Sequence, residues 1–139
     1  MKSAVRTSVV VVQNGRLLAF RAEDPTSGKE YFLLPGGGIE EDETAPEAAE
    51  RATLEKTGFR VKVNPTSNTD REYSFNWSGE DLDCLTIFYR ATLISALQGQ
   101  VTDTDYNKGT YWIPAGEVPA TFNYSAEILS AIQELMGHF

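Results

Sequence analysis

The sequence predicts a mixed α/β fold, a mixed β-sheet covered by helices on two faces. Three observations lead there. Strand-like segments lie on both sides of one internal helical segment, and a second helical segment closes the chain; this order favours a layered architecture with helices packed on a sheet. In the closing segment, from Ser125 onward, Ile128, Leu129, Ile132, Leu135 and Met136 recur at helical spacing, leaving one apolar stripe to be covered. No internal repeat, low-complexity tract or linker divides the 139 residues, so residues 1–139 are expected to form one domain.

Each element has its own local signal. Residues 5–12 are rich in β-branched side chains, and residues 17–21 follow across Asn14-Gly15, a pair that supplies the positive φ angles of a tight hairpin turn. These first two strands are expected to pair. Residues 23–29 are dense in turn formers and predict an exposed loop, after which residues 31–34 run as a short buried strand into a turn at Gly36-Gly37-Gly38. Thr44 and Glu47 make a capping-box pair, Pro46 occupies the first turn where its missing N–H costs little, and Gly58 stops the helix. The predicted helix spans Ala45–Thr57. Residues 59–63 and 73–77 alternate as two half-exposed strands with a loop over residues 64–69 between them. A long apolar strand over residues 82–93, a polar acidic stretch over 99–109, and a last short strand at Tyr111-Trp112-Ile113 complete the order before the turn at Pro114-Ala115-Gly116-Glu117.

Bulk composition excludes several functions. A net charge of −8 disfavours nonspecific attraction to duplex nucleic acid or anionic lipid, while a compact phosphate ligand can still be held by local charge. Cys84 is the only cysteine, so it has no internal disulfide partner, and its apolar neighbours mark it as a small buried hydrophobe. A reducing, cytoplasmic home is expected. Residues 1–8 lack the pattern of an export signal, and the longest aliphatic run, Val9-Val10-Val11-Val12, is far shorter than the ~20 apolar residues that cross a bilayer. No membrane partner is expected. His138 is the sole histidine and stands next to the C-terminal residue, which gives a histidine-based metal site or triad almost nothing to work with.

The most informative stretch runs from Pro35 to Phe59. It strongly resembles the signature of the Nudix hydrolase (MutT-like) family, G-x5-E-x7-R-E-U-x-E-E-x-G-U with U a bulky aliphatic. Gly37, Glu43, Arg51, Glu55 and Gly58 match in register, Phe59 and Thr53 are tolerable at the U positions, and Leu34-Pro35-Gly36-Gly37 leads in. Ala52 and Lys56 stand where two of the three metal-binding glutamates belong. The resemblance implies an α/β/α sandwich and hydrolysis of the diphosphate linkage of a nucleoside diphosphate derivative with Mg2+ or Mn2+. It implies that Glu43 and Arg51 pair and hold the glycine turn, that Glu55 with a backbone carbonyl at Gly37 ligates the cation, and that Gly36, Gly37 and Gly38 face the substrate phosphates; Lys56, a departure from the signature, is a further expected substrate contact. Glu43, Arg51 and Glu55 are thus the expected catalytic set.

Positions 52, 55 and 56 share one helix face, where three glutamates would form a platform of hard oxygen ligands. Here one remains, and the Lys56 ammonium opposes a cation: at about 4 Å and an effective dielectric of 20, two unit charges interact by about 4 kcal/mol. Weakened or narrowed activity is therefore expected. The alternative is a non-catalytic nucleotide- or phosphate-binding module in which Lys56 replaces metal charge. Asp103 and Asp105 lie in a late loop of the kind from which the family often adds a ligand or base, and Asp105 is the expected further metal ligand. Glu40, Glu41, Glu80, Asp81 and Asp83 are either compensating carboxylates or solvated loop residues. Tyr31, Phe75, Trp77, Tyr106 and Trp112 are candidate base-stacking rings or core, and Arg21, Lys29, Arg71 and Lys108 candidate phosphate contacts or ordinary surface cations. The expected partner is a small nucleotide-like phosphate ligand, with the chain a monomer or homodimer.

Overall fold

The computed structural model describes residues 2–137. Its strands are β1 (Lys2–Val10), β2 (Val12–Gln13), β3 (Arg16–Glu23), β4 (Glu30–Leu33), β5 (Gly36–Gly38), β6 (Val61–Trp77), β7 (Glu80–Leu93) and β8 (Asn107–Pro114). The helices are α1 (Ala45–Thr57), a single turn α2 (Val118–Thr121) and α3 (Ala126–Met136). Strand pairing makes two four-stranded sheets. One is mixed, in the order β5-β1-β7-β6 with β1 and β7 parallel; in the other, β3 pairs antiparallel with β2, β4 and β8.

The layering follows from strand alternation, which sends successive side chains to opposite faces. On one face Val9, Val11, Leu18, Tyr89 and Ala91 pack with Ala49 of α1 and with Phe59, Val61 and Val63. On the other, Val10, Leu17, Ala19 and Phe88 pack with Ile128, Ile132, Leu135 and Met136 of α3. Full burial of each such side chain contributes about 1.5–3 kcal/mol. The expected α/β/α layering is what the chain forms, with two sheets rather than one in the middle.

Three expectations, one of strand pairing and two of loops, need correction. The Asn14-Gly15 hairpin forms, with φ of 53° and 74°, but only Val12–Gln13 pairs with β3 across it. The longer part of the run, β1, lies instead between β7 and β5. Residues 64–69 fall within β6 rather than between two strands, but Pro65, Thr66 and Ser67 have no partner on β7: the register shifts between Asn64 and Asn68, a bulge in which Pro65 is spared a ladder position its missing N–H could not fill. The segment 23–29 is not wholly exposed either. Asp24 is buried, and its carboxylate accepts from the N–H groups of Thr26, Ser27 and Ser78, tying this loop to the turn between β6 and β7.

Helix α1 has the predicted bounds. Thr44 Oγ1 accepts from Glu47 N while a Glu47 carboxylate oxygen accepts from Thr44 N, and Gly58 closes the helix at φ 76° with its N–H on Leu54 O. The free carbonyls at the C-terminal end hold the long stretch between β7 and β8. Glu55 O accepts from Thr102 N and Asp103 N, Lys56 O from Asn107 Nδ2, Thr57 O from Gln98 Nε2, and Gly58 O from Gly99 N. Helix ends must satisfy these groups somehow; here that need brings the acidic late loop against α1. Helix α3 begins at its Ser125 cap, whose hydroxyl accepts from Ile128 N.

Candidate functional site

The three glycines form a strand, not the turn expected from their composition. Gly36–Gly38 pair antiparallel with Ser8, Thr7 and Arg6 of β1. Glycine is demanded at Gly36, because a Cβ there would stand 2.0 Å from the Thr7 carbonyl oxygen. The buried Thr7 hydroxyl donates to Gly37 O at 3.0 Å, so that carbonyl is already engaged from the β1 side.

Arg51 joins the glycine strand, the following loop and α1. Its Nε donates to Glu43 Oε2 at 2.7 Å and its Nη2 to Glu43 Oε1 at 3.0 Å, a two-pronged pairing. Nη2 also donates to Gly38 O at 3.0 Å, and Nη1 to Glu55 Oε1 at 2.8 Å. Glu43 Oε1 in turn accepts from Glu40 N. Hydrogen bonding from Arg51, then from Glu40 N–H, holds the Glu43 carboxyl below the usual carboxylate range, and Arg51 is raised above the usual arginine value chiefly by its bond to Glu43.

Next along α1, Ala52 is buried against Gly37, and Lys56, one turn further, reaches back so that Nζ donates to Gly36 O at 2.5 Å, with the Phe20 ring 5.9 Å away. Burial, and next the charge of Arg6, holds the Lys56 ammonium below the ordinary lysine range; Asp103 and Glu55 oppose that shift.

Lys56 lines a cleft of about 360 Å³ on the α3 side of the sheets. Arg6 and Ser8 of β1 line it from below, Phe75 and Trp77 of β6 and Tyr106 of the late loop supply aromatic surface, and Asp103 and Asp105 supply carboxylates. Trp77 and Tyr106 meet edge to face at 6.0 Å. The structure thus collects Gly36, Lys56, Asp103, Asp105 and the rings of Phe75, Trp77 and Tyr106 in one place. Tyr31 packs on Phe75 and Tyr124 instead, and Trp112 packs edge to face on Phe59 in the α1-side core.

The four candidate phosphate cations are occupied elsewhere. Arg21 pairs with Glu30 and lies over Tyr111, Lys29 lies over Tyr31, Arg71 pairs with Glu134, and Lys108 pairs with Glu23. Glu40 stands 3.7 Å from Arg51, Glu41 is exposed, and Asp81 and Asp83 fall out of phase with Leu82 and Cys84, which line the cleft. Arg6 and Ser8 were missed from sequence. Their signal was the alternation of Ala4, Arg6 and Ser8 with Thr7, Val9 and Val11. Cys84 is buried in the cleft wall, with burial pushing its thiol up, as expected of a small hydrophobe. His138 lies outside the described residues.

Residues 2–132 match the family model of the NUDIX domain. The chain belongs to the NUDIX domain family. A MutT-like protein of Streptomyces ambofaciens is 30% identical over 135 residues, covering 78% of this chain and 85% of that protein. Among solved structures, a NUDIX hydrolase from Nitrosomonas europaea superimposes with a TM-score of 0.77 at 19% identity, covering 96% of this chain and 88% of the other. A C. elegans Ap4A hydrolase in a binary complex gives 0.72 at 16% identity, covering 98% and 96%. At these identities the structural likenesses speak for the fold.

NUDIX hydrolases in general act on nucleoside diphosphate derivatives and use divalent metals, so this NUDIX domain can be tested for its fit to such an ion. Among the described residues, no group of three or more histidine, cysteine, aspartate or glutamate side chains is placed to hold one. Glu55 is bonded to Arg51, Ala52 brings no oxygen, and Lys56 sets a positive charge on the glycine strand. This donor set does not fit a three-carboxylate metal platform. Among the described residues, no helix is long and apolar enough to cross a membrane.

Proposed function

We propose that this NUDIX domain takes a nucleoside diphosphate derivative into its cleft and hydrolyses the diphosphate linkage only weakly. The observation that carries the reading is the meeting of two cations, Arg6 and Lys56, with three aromatic rings, Phe75, Trp77 and Tyr106, in one lining. Cations answer the charge of a diphosphate, and rings offer a stacking surface to a base. In this reading Gly36, Gly37, Gly38 and Lys56 face the phosphates, while Glu43 and Arg51 hold the glycine strand against α1. Glu55, held by Arg51, is the surviving platform carboxylate and Asp105 a carboxylate of the cleft lining; with so few oxygens, Mg2+ or Mn2+ has a poor seat. The weakness follows from the missing glutamates, since losing a general base alone costs about 10²–10⁴ in rate. A cytoplasmic monomer or homodimer acting on a small ligand completes the reading.

A second reading, a non-catalytic binding module, is favoured by the Lys56 contact to Gly36 O, which puts an ammonium on the glycine strand. A phosphate-release assay over a panel of nucleoside diphosphate derivatives, with Mg2+, Mn2+ or chelator, separates the two. Slow turnover by the wild type, rising about 10²–10⁴-fold in the Ala52→Glu/Lys56→Glu double variant, is the outcome expected of a weakened hydrolase. Turnover in the double variant alone selects the binding module. Failure of both proteins to turn over or bind any member of the panel would sink both.

A further inference from the structure

We infer that Arg6 and Lys56 together form an anion site that seats a phosphate group without any divalent metal. The inference rests on the nucleotide-type ligand proposed above in that the same cleft is used, but it concerns the phosphate and its independence of metal.

Arg21, Arg51, Arg71 and Lys108 each lie within 4 Å of a glutamate. Lys56 does not: its hydrogen bond goes to a carbonyl oxygen, which orients the ammonium but leaves its charge uncancelled. The Arg6 side chain makes no hydrogen bond or ion pair among the described residues. Two positive charges are therefore held at one cleft in a chain whose net charge is −8.

These two cations feel each other. The charge of Arg6 is the second cause, after burial, of the downward shift at Lys56. Like charges brought together on a β-strand and a helix are stabilised when an anion binds between them. The half-buried position of both residues makes the effect larger than it would be on an open surface. Asp103 and Asp105 share the cleft, yet neither comes within 4 Å of either cation among the described residues, so the cations remain open to a ligand. The Ser8 hydroxyl lines the same cleft and adds a donor beside Arg6.

A phosphate or diphosphate matches this chemistry. A guanidinium offers two parallel donors and an ammonium a compact charge, and both suit phosphate oxygens. The two departures from the family signature, Ala52 and Lys56, remove a carboxylate and add a cation at the same face, which favours an anion where three glutamates would favour a metal ion.

Titration calorimetry with inorganic pyrophosphate, ADP and UDP, in EDTA and in Mg2+, tests the inference on the whole chain. Binding in EDTA is expected, weakened about 10- to 100-fold by Arg6→Gln and by Lys56→Gln. Lys108→Gln, which makes the same change in net charge outside the cleft, should leave it unchanged. Circular dichroism checks that each variant folds; if Arg6→Gln does not, Lys56→Gln and the charge-keeping Arg6→Lys carry the comparison. Binding that requires Mg2+, or losses no greater than that of Lys108→Gln, overturns the anion site while leaving the nucleotide reading intact. Pyrophosphate held in EDTA through Arg6 and Lys56, with ADP and UDP bound no tighter, upholds the site and removes the nucleotide reading. No binding of any probe in either buffer overturns both.

Discussion

Replacing Gly36 with alanine tests whether the glycines are there to bring β5 onto β1. A Cβ built at Gly36 lies 2.0 Å from Thr7 O, 2.7 Å from Ser8 Cα and 2.8 Å from Thr7 C, all backbone atoms that no rotamer change can move. Restoring even a tight contact of 3.0–3.4 Å to Thr7 O requires the strands to part by 1.0–1.4 Å, the difference from 2.0 Å. That shift strains three register pairs, Arg6↔Gly38, Thr7↔Gly37 and Ser8↔Gly36, together with the Thr7 hydroxyl bond to Gly37 O. Overpacking costs about 1–3 kcal/mol and each lost hydrogen bond about 0.5–1.5 kcal/mol, so a total of about 3–5 kcal/mol is expected. For a chain of this size that lowers Tm by roughly 10–20 °C. Gly38→Ala is the matched control, since its Cβ meets nothing within 4 Å; its effect should stay within about 0.5 kcal/mol. Calorimetric melting of both variants decides it. Equal melting temperatures would refute the close-approach account of the glycine strand.

Further outcomes follow from single contacts. Thr44→Ala removes the acceptor for Glu47 N and should cost about 1 kcal/mol, read from denaturant midpoints at unchanged slope. Asn107→Ala leaves Lys56 O, Asp103 O and Gly109 N without this partner; hydrogen exchange should quicken at residues 103–109, with a stability loss of about 1–3 kcal/mol. Glu43 has its folded carboxyl value depressed by Arg51 and Glu40 N–H, so its contribution is present above the unfolded value near 4.5 and fades as pH falls through the lower folded value. Melts of wild type and Glu43→Gln should therefore differ most at neutral pH and converge in acid, and a constant difference across that range would count against the pairing.

Helix α1 was legible because every signal for it is local: Thr44 and Glu47 cap it, Pro46 fits its first turn and Gly58 stops it within one continuous stretch. The strand partners were not legible in the same way. The β-branched run over residues 5–12 carries no mark at Val11 to show that the chain leaves one sheet for the other, because that choice belongs to β7, more than seventy residues away in sequence. Residues 64–69 are polar and contain a proline, and the long β7 ladder carries the strand past them by leaving residues 65–67 unpaired in a bulge. Asp24 reads as a loop residue until the turn at Ser78 is folded beside it. For the site, the Glu43–Arg51 pairing followed from the resemblance, and the cations did not. Arg21, Lys29, Arg71 and Lys108 each have a partner supplied by folding, whereas Arg6 stood in a short, commonplace alternation whose importance comes from the strand it faces.

Ala52 and Lys56 make physical sense as a pair. They are one helical turn apart, and a glutamate at 52 would sit at i to a lysine at i+4, the favourable order for an ion pair. Such a pair would draw the ammonium along the helix and cancel its charge. With alanine at 52, buried against Gly37, the ammonium turns instead to the Gly36 carbonyl, which accepts a hydrogen bond without neutralising it. Alanine alone, with glutamate kept at 56, would leave two carboxylates on the helix face and a weaker version of a metal platform. Lysine alone, with glutamate kept at 52, would leave a self-satisfied pair that binds neither ion well. Both changes together leave one uncancelled positive charge beside the glycine strand, and a unit anion about 4 Å away gains about 4 kcal/mol at an effective dielectric of 20. The same arithmetic that disfavours a cation there favours a phosphate, so metal independence and phosphate affinity should rise or fall together at this site.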